Sequence, residues 1–208
     1  MQTTYNALPN PAFQGMLYDI SLSKDIVSAS YADPFFNGVG GTALGNAPFG
    51  VALVAFPSAS TDLALNIGTP QVQLPNAAIA TLPFYGVGVA RFIDPSITEQ
   101  DDFVGGGVSA EIPALTGKQG IYQGAGVDVL RKGRIWVLDE DGAAAPGKAV
   151  FYRFAAGAGL LTQLGAFSTV TDAGKNSQLV AAGARGANWF STLSTGLAGL
   201  AVLDINLP

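Results

Sequence analysis

The sequence contains neither cysteine nor histidine among its 208 residues. Without histidine there is no imidazole base, and without cysteine there is no thiolate nucleophile and no disulfide. The two absences also exclude zinc sites of the His/Cys kind, haem sites with His or Cys axial ligands, and iron–sulfur clusters. We therefore expect a protein that is not an enzyme and that binds no cofactor and no metal.

Charge is the second feature that the sequence has little of. Charged residues make up 12% of the chain, with a formal net charge of −5 and only 10 Lys and Arg. A nucleic-acid-binding protein would show a basic stripe, so we expect no nucleic-acid partner. A domain on its own normally needs surface charge to stay soluble. The low charge thus favours a surface partly covered by copies or partners, with a plain Gly- and Ala-rich β protein as the alternative.

Long apolar runs are absent as well. The longest candidate, residues 49–56, is closed by Pro48 and Pro57. A membrane-spanning helix needs about 18 or more apolar residues. The sequence therefore predicts no membrane partner.

What remains is a chain of short apolar stretches separated by Gly and Pro. Stretches with an apolar run or with strand-like alternation occur at 48–56, 84–93, 106–112, 127–138, 150–154 and 201–207. Many short strands with Gly/Pro turns predict an all-β barrel or sandwich of short antiparallel strands. The stretch 127–138 is predicted to divide at Lys132-Gly133. Residues 21–31 are the best helical candidate, and the C-terminal strand is predicted to lie at a sheet edge.

The first 45 residues differ from the rest. They contain Pro9, Pro11 and Pro34 and several glycines, which interrupt regular structure, and aromatic side chains are spread among them. We predict an extended N-terminal arm over 1–45 followed by a β domain over 46–208, and a subdivision near residue 114 is left open. The arm packs either on its own domain or on a neighbour.

Residues 139–150, DEDGAAAPGKAV, imitate the spacing of a phosphate-binding P-loop. Ala149 replaces the metal-binding hydroxyl, Pro146 removes a backbone N–H, and the following AVFYRF has a strand pattern where a P-loop needs a helix. The stretch instead predicts a β-hairpin with a solvated acidic tip. A weak divalent-ion site at 139–142 is the minor alternative, although the alternation of a calcium loop is missing.

Two further patterns contain residue types that are used in catalytic sites. Ser21 and Lys24 match an S-x-x-K motif whose partner motifs are missing. Glu99, Asp101 and Asp102 form the best carboxylate cluster for a glycosidase-type acid and base. Adjacent acids before a Gly-rich loop are more typical of a solvated turn, so an enzyme that uses them ranks third among the functions considered.

The order of the segments resembles a known family. A Pro-containing start, TYNALPNPAFQGMLYD, precedes the apolar run APFGVALV, then VDVLRKGRIWVLDEDGAAAPGKAVFYRF, and the chain closes on GLAVLDINLP. Together these segments resemble the capsid cement, or decoration, proteins of tailed bacteriophages. The similarity is strongest at 127–154 and 199–208.

The resemblance implies a virion structural protein, assembled in the host cytoplasm, that binds the outer surface of the shell of major capsid protein. It implies a symmetric homo-oligomer, a trimer rather than a dimer, that braces the shell against the pressure of packaged DNA. Contact residues, with the capsid or between subunits, are predicted in the arm. They are Tyr5, Pro9, Pro11, Phe13, Tyr18, Phe35 and Phe36.

A carbohydrate-binding or fibre-type adhesion module is the alternative function. It would use Trp136, Trp189 or exposed tyrosines as sugar-stacking platforms. Because Trp136 lies between Ile135 and Val137 and Trp189 adjoins Phe190, both tryptophans are predicted to be packing residues.

Overall fold

The computed structural model describes residues 14–18, 25–31, 47–55, 70–77, 83–90, 126–155, 163–179 and 186–207. Their regular structure is all-β, as predicted. The described residues form ten strands: β1 Asp25–Tyr31, β2 Ala52–Ala55, β3 Gln71–Gln73, β4 Phe84–Gly88, β5 Gly126–Asp139, β6 Val150–Arg153, β7 Phe167–Ser168, β8 Asn176–Leu179, β9 Gly186–Trp189 and β10 Gly199–Asn206.

Five of these strands close into a barrel. The hydrogen-bonded order is β1-β3-β2-β4-β5, and β1 pairs again with β5 to complete the ring. The β1–β3 pair is parallel and the other pairs in the ring are antiparallel. Closure removes the free edges that an open sheet exposes to other chains.

The long strand β5 joins the barrel to a second layer. Its first half pairs with β1, from Gly126 to Lys132, and its second half pairs with β10, from Lys132 to Asp139. β10 continues to β9 on one side, and the end of β5 continues through β7 and β6 to β8 on the other. The predicted division at Lys132-Gly133 is therefore wrong as a strand end. It marks the point where β5 exchanges one neighbour for another.

Two apolar cores result from this arrangement. One draws side chains from β1, β2, β3 and β5, among them Tyr31, Leu53 and Val129, and fills the barrel. The other lies between the outer wall of the barrel and the second layer, and includes Ile135, Phe167 and Trp189. β2 contributes to both cores, which explains why its sequence is apolar at every position and not alternating.

Three sequence predictions about local structure need correction. Residues 25–31 form a strand and not a helix, because Val27, Ala29 and Tyr31 turn inward with period two while the barrel supplies partners on both sides. The 139–149 connection is not a hairpin, because β7 is inserted between β5 and β6. The C-terminal strand is confirmed as β10, although it lies between β5 and β9 and not at an edge.

Among the described residues there is no helix long and apolar enough to cross a membrane.

Candidate contact surface

A short piece of the N-terminal arm lies against β5. The Gly15 amide donates to the Trp136 carbonyl at 2.7 Å, and the Trp136 amide donates back to Met16 at 2.9 Å. The Tyr18 amide donates to the Arg134 carbonyl at 3.0 Å. Residues 14–18, which we call the docked segment, therefore act as a short additional strand on the second half of β5. For this part of the arm, the structure shows packing on its own domain.

Gly15 permits this close approach. Its φ is +87°, a left-handed conformation that L side chains rarely adopt. A Cβ at this position would lie 2.5 Å from Phe49 Cβ and 2.8 Å from the Gly50 amide nitrogen. The Gly15 carbonyl also accepts a hydrogen bond from the Ala90 amide at 2.9 Å. The docked segment is thus wedged between β5 and the loops that flank β2 and β4.

Docking assembles an aromatic patch on the outward face of β5. The Tyr18 ring lies 5.8 Å from the Trp136 ring and 5.5 Å from the Phe190 ring, tilted by 59° and 58°. Such tilted pairs add about 0.5–1.5 kcal/mol each beyond their buried area. Tyr18 is still 45% exposed and Phe190 39% exposed. We call Tyr18, Trp136, Phe190 and Arg134 the aromatic patch.

Arg134 gives the patch a positive charge held in place from two sides. Its guanidinium carbon lies 3.7 Å from the centre of the Phe190 ring, a cation–π contact. Its Nε donates to Asp204 Oδ2 at 3.2 Å across the β5–β10 pair. This ion pair is partly exposed and contributes about 0–1 kcal/mol to stability. Its main effect is to orient the guanidinium over the ring.

A second polar cluster lies where β5 ends. Asp139 Oδ2 accepts hydrogen bonds from the amides of Ala143 and Ala144 at 2.9 and 2.8 Å. Asp141 Oδ2 accepts from the amide and the hydroxyl of Thr169 at 3.0 and 2.8 Å. Arg153 donates to Glu140 at 2.6 Å and to Asp172 at 3.0 Å. We call this cluster the acidic corner.

The acidic residues of this corner are buried (Asp139, Glu140) or half-buried (Asp141, Asp172), which corrects the prediction of a solvated tip. Asp139 is fully buried and Glu140 is 5% exposed. Burial raises the pKa of Asp139 from 3.8 to about 7, and the adjacent Asp141 raises it as well. Burial also raises the pKa of Glu140, against the opposing charge of Arg153. In the part of the chain that the structure describes, no three acidic side chains are arranged to hold a metal ion.

The P-loop spacing is also explained by local packing. Gly142 has a φ of +61°, and a Cβ there would overlap the backbone of Leu197, so glycine is required for the approach of a neighbouring loop. Gly147 and Lys148 are exposed and lie in a turn. The glycines therefore serve a turn and a loop contact, and no phosphate cradle is formed.

Comparison with known proteins decides the family. The model of the structural cement protein family (E217 gp24/Pam3 gp6), a phage family, matches residues 1–206. The chain belongs to this phage cement protein family. The resemblance seen in the sequence is thereby confirmed, and the family is one of structural components of the capsid.

Individual proteins show weaker similarity to this chain than the family model does. A chain from the capsid of Myoviridae Phage XM1 superimposes on the cement protein with a TM-score of 0.48 and 12% sequence identity, covering 99% of this chain and 98% of that chain. No curated protein sequence matches it.

Of the predicted contact residues in the cement protein, Tyr18 lies in the described part of the chain. It is exposed and belongs to the aromatic patch. Six predicted contacts lie outside the described residues, and so do Glu99, Asp101, Asp102 and the apolar stretch 106–112. The six are Tyr5, Pro9, Pro11, Phe13, Phe35 and Phe36.

Sequence reasoning missed three members of the aromatic patch. Trp189 is a packing residue as predicted, being 2% exposed with its indole N–H donated to Ala149. Trp136 is only half-buried and faces Tyr18. Strand alternation indicates this outward position of Trp136, because Arg134 and Trp136 share the face opposite Ile135 and Val137. Nothing local to Phe190 indicated that it would meet Tyr18.

Proposed function

We propose that the protein binds the outer surface of the major capsid shell as a symmetric homo-oligomer and stabilises the shell against the pressure of packaged DNA. Membership of the cement protein family establishes the structural role in the capsid. The outer surface, the oligomer and the resistance to pressure are the proposed refinements.

The aromatic patch is the observation that carries this proposal. Binding energy at protein interfaces is concentrated in a few Trp, Tyr and Arg side chains. The patch combines these three residue types with Phe190, and its two most exposed rings belong to Tyr18 and Phe190. The chain has few charged residues, so few solvated side chains compete with the exposed rings for contact with a partner.

The side chains of the patch are also held by contacts within the protein itself. Tyr18 is fixed by the backbone pairing of the docked segment, and Arg134 is fixed by Asp204 and the Phe190 ring. Side chains that are ordered in advance lose less entropy on binding, which leaves more of the contact energy as affinity.

The rest of the arm extends the proposed contact. Residues 1–13 precede the docked segment, and thirteen residues can span at most about 45 Å when fully extended. Tyr5 can therefore contact a neighbouring subunit or the shell at a distance from the docked segment, and Pro9, Pro11 and Phe13 can do so progressively nearer to it. In a symmetric oligomer, several such contacts act at high effective concentration, so modest individual affinities combine into tight binding. A trimer is preferred to a dimer, and this preference rests on the family resemblance.

Co-sedimentation with empty capsid shells tests the proposal. The wild type should pellet with the shells, and Tyr18→Ala and Phe190→Ala should each weaken binding by about tenfold or more, as expected for interface anchors. Leu197→Ala is the matched control, because Leu197 is 72% exposed and has no place in the patch. If Leu197→Ala abolishes binding and the patch variants do not, the contact surface is assigned wrongly.

A carbohydrate-binding role predicts a different result. Sugar platforms present flat, accessible rings, whereas the rings of the patch are tilted by nearly 60° to one another. Binding to a glycan array without binding to shells would refute the capsid proposal in favour of this alternative.

A further inference from the structure

The acidic corner contains two carboxyl groups that cannot both be satisfied as anions. Asp139 and Asp141 each use Oδ2 to accept two hydrogen bonds from the surrounding chain. Each Oδ1 is buried, and no donor group in the described residues reaches either of them. Each buried Oδ1 therefore lacks a hydrogen-bond partner unless one of the two carboxyl groups carries a proton.

We propose that Asp139 and Asp141 share a single proton and form a latch that holds the loops at this end of β5, and that the loops loosen when the proton is lost. Two adjacent carboxylates in a buried site repel one another strongly, and a shared proton converts this repulsion into a hydrogen bond.

The latch joins three stretches of chain. Asp139 fixes the turn 142–144 through its two amide bonds, and Asp141 fixes the loop that follows β7 through Thr169. The turn 142–144 also holds a third loop, 191–198. The Leu193 amide donates to the Ala144 carbonyl at 2.8 Å, and the amides of Thr195 and Gly196 donate to the Gly142 carbonyl at 3.1 and 3.2 Å. The side chains of Asp139 and Asp141 are therefore the common anchor of all three.

The surrounding charges do not neutralise the pair. Glu140, on the same segment, and Asp172, on the loop before β8, add two more acidic groups, and Arg153 on β6 is bonded to both of them. A cavity beside the acidic corner is lined by Glu140, Asp141 and Asp172, and Lys175 lines it as well. The loop 191–198 contains no ionisable side chain. Because Arg153 is bonded to Glu140 and Asp172, it does not neutralise the other two carboxyl groups. The repulsion between Asp139 and Asp141 is therefore relieved only by a proton of their own.

Electrostatics support this arrangement. Burial raises the pKa of Asp139 to about 7, with Asp141 adding to the effect and the amides of Ala144 and Ala143 opposing it. Burial alone would raise the pKa of Asp141 too, but the hydrogen bonds from Asp139 and Thr169 lower it. The proton therefore belongs mainly to Asp139.

The direction of the pH effect follows from these pKa values. In the unfolded chain Asp139 loses its proton near pH 3.8, and in the folded protein it does so near pH 7. Between these values the folded state binds one proton more than the unfolded state, so stability falls as pH rises. The stabilising contribution of the Asp139 proton is fully present below about pH 4 and is lost above about pH 7.

Asp139→Asn tests the latch, because an asparagine can donate to Asp141 while accepting from the two amides. The ratio of the unfolding equilibrium constants, wild type over Asp139→Asn, should rise by up to about tenfold per pH unit between pH 4 and 7 and then level off. Asp204→Asn, at the exposed ion pair with Arg134, should not change the wild-type profile in this way. A ratio that stays constant from pH 4 to 8 would overturn the proposal.

Hydrogen exchange on the wild type keeps the proposal testable if Asp139→Asn does not fold. Protection factors of the Ala143, Ala144 and Thr169 amides should fall more steeply from pH 6 to pH 8.5 than that of Val129 in the barrel, which follows global unfolding alone. Unchanged protection at all four amides would overturn the latch. Recovery of protection at pH 8.5 on addition of calcium would also overturn it, because the corner would then be a cation site.

Discussion

Replacing Gly15 by alanine is predicted to release the docked segment from β5 while the barrel stays folded. The new Cβ would overlap Phe49 Cβ at 2.5 Å and the Gly50 amide nitrogen at 2.8 Å. Both atoms belong to or adjoin the backbone, so neither can move aside cheaply. The left-handed φ of +87° adds a conformational cost of about 1–2 kcal/mol.

The cost of this substitution is limited by what docking contributes. Four backbone hydrogen bonds hold the segment, three to β5 and one from Ala90 to Gly15. At a net value of about 0.5–1.5 kcal/mol each, they amount to roughly 2–6 kcal/mol. We therefore expect Gly15→Ala to lower the free energy of unfolding by about 2–4 kcal/mol, since part of the docking energy returns as chain entropy.

Gly147→Ala is a closely matched control. Gly147 has almost the same φ, +85°, but a Cβ there would meet nothing within 4 Å. It should show the conformational cost alone, about 1–2 kcal/mol. The difference between the free energies of unfolding of the two variants measures the steric clash of the new Cβ at position 15, which displaces the docked segment.

Urea unfolding and tryptophan fluorescence provide the two readouts. Trp136 loses its contact with Tyr18 when the segment leaves, so its emission should shift to longer wavelength, while the buried Trp189 reports that the core is intact. Equal destabilisation by Gly15→Ala and Gly147→Ala, with unchanged emission, would refute the wedge described for Gly15.

Two other predictions concern stability. Arg153→Met leaves Glu140 and Asp172 without their partner and should lower the free energy of unfolding in urea by about 3–5 kcal/mol. The control Lys148→Met, at an exposed position, should lower it by less than about 0.5 kcal/mol. Equal effects of the two substitutions would contradict the account of the acidic corner. Deleting residues 202–208 removes most of β10, including three fully buried side chains, and should leave the protein insoluble; a soluble product with unchanged melting temperature would show that β10 is not needed for folding.

The sequence predicted those strands whose partners impose a visible pattern. β2, β4 and β6 fall within stretches identified by apolar content or alternation, and β5 and β10 largely overlap such stretches. β1 was missed because its serines weaken the apolar signal, and its strand form depends on partners about 40 and 100 residues away in the chain, at Gln71 and Asp128. The insertion of β7 between β5 and β6 is a pairing over a long separation that local turn residues do not specify.

The candidate sites show the same limit. Tyr18 stands out in the sequence as an aromatic residue in a Pro-rich arm, but its ring partners Trp136 and Phe190 come from distant elements. The acidic corner was interpreted as a solvated turn because consecutive acids usually are exposed. Its burial depends on Arg153, 13 residues from Glu140, and on Thr169, 28 residues from Asp141.

The most direct measurement of the central claim is electron cryomicroscopy of shells saturated with the protein. The account predicts density on the outer surface of the shell, with the aromatic patch of each copy facing the major capsid protein or an adjacent copy. Density on the inner surface, or an outer density in which Tyr18 and Phe190 face bulk solvent, would contradict it.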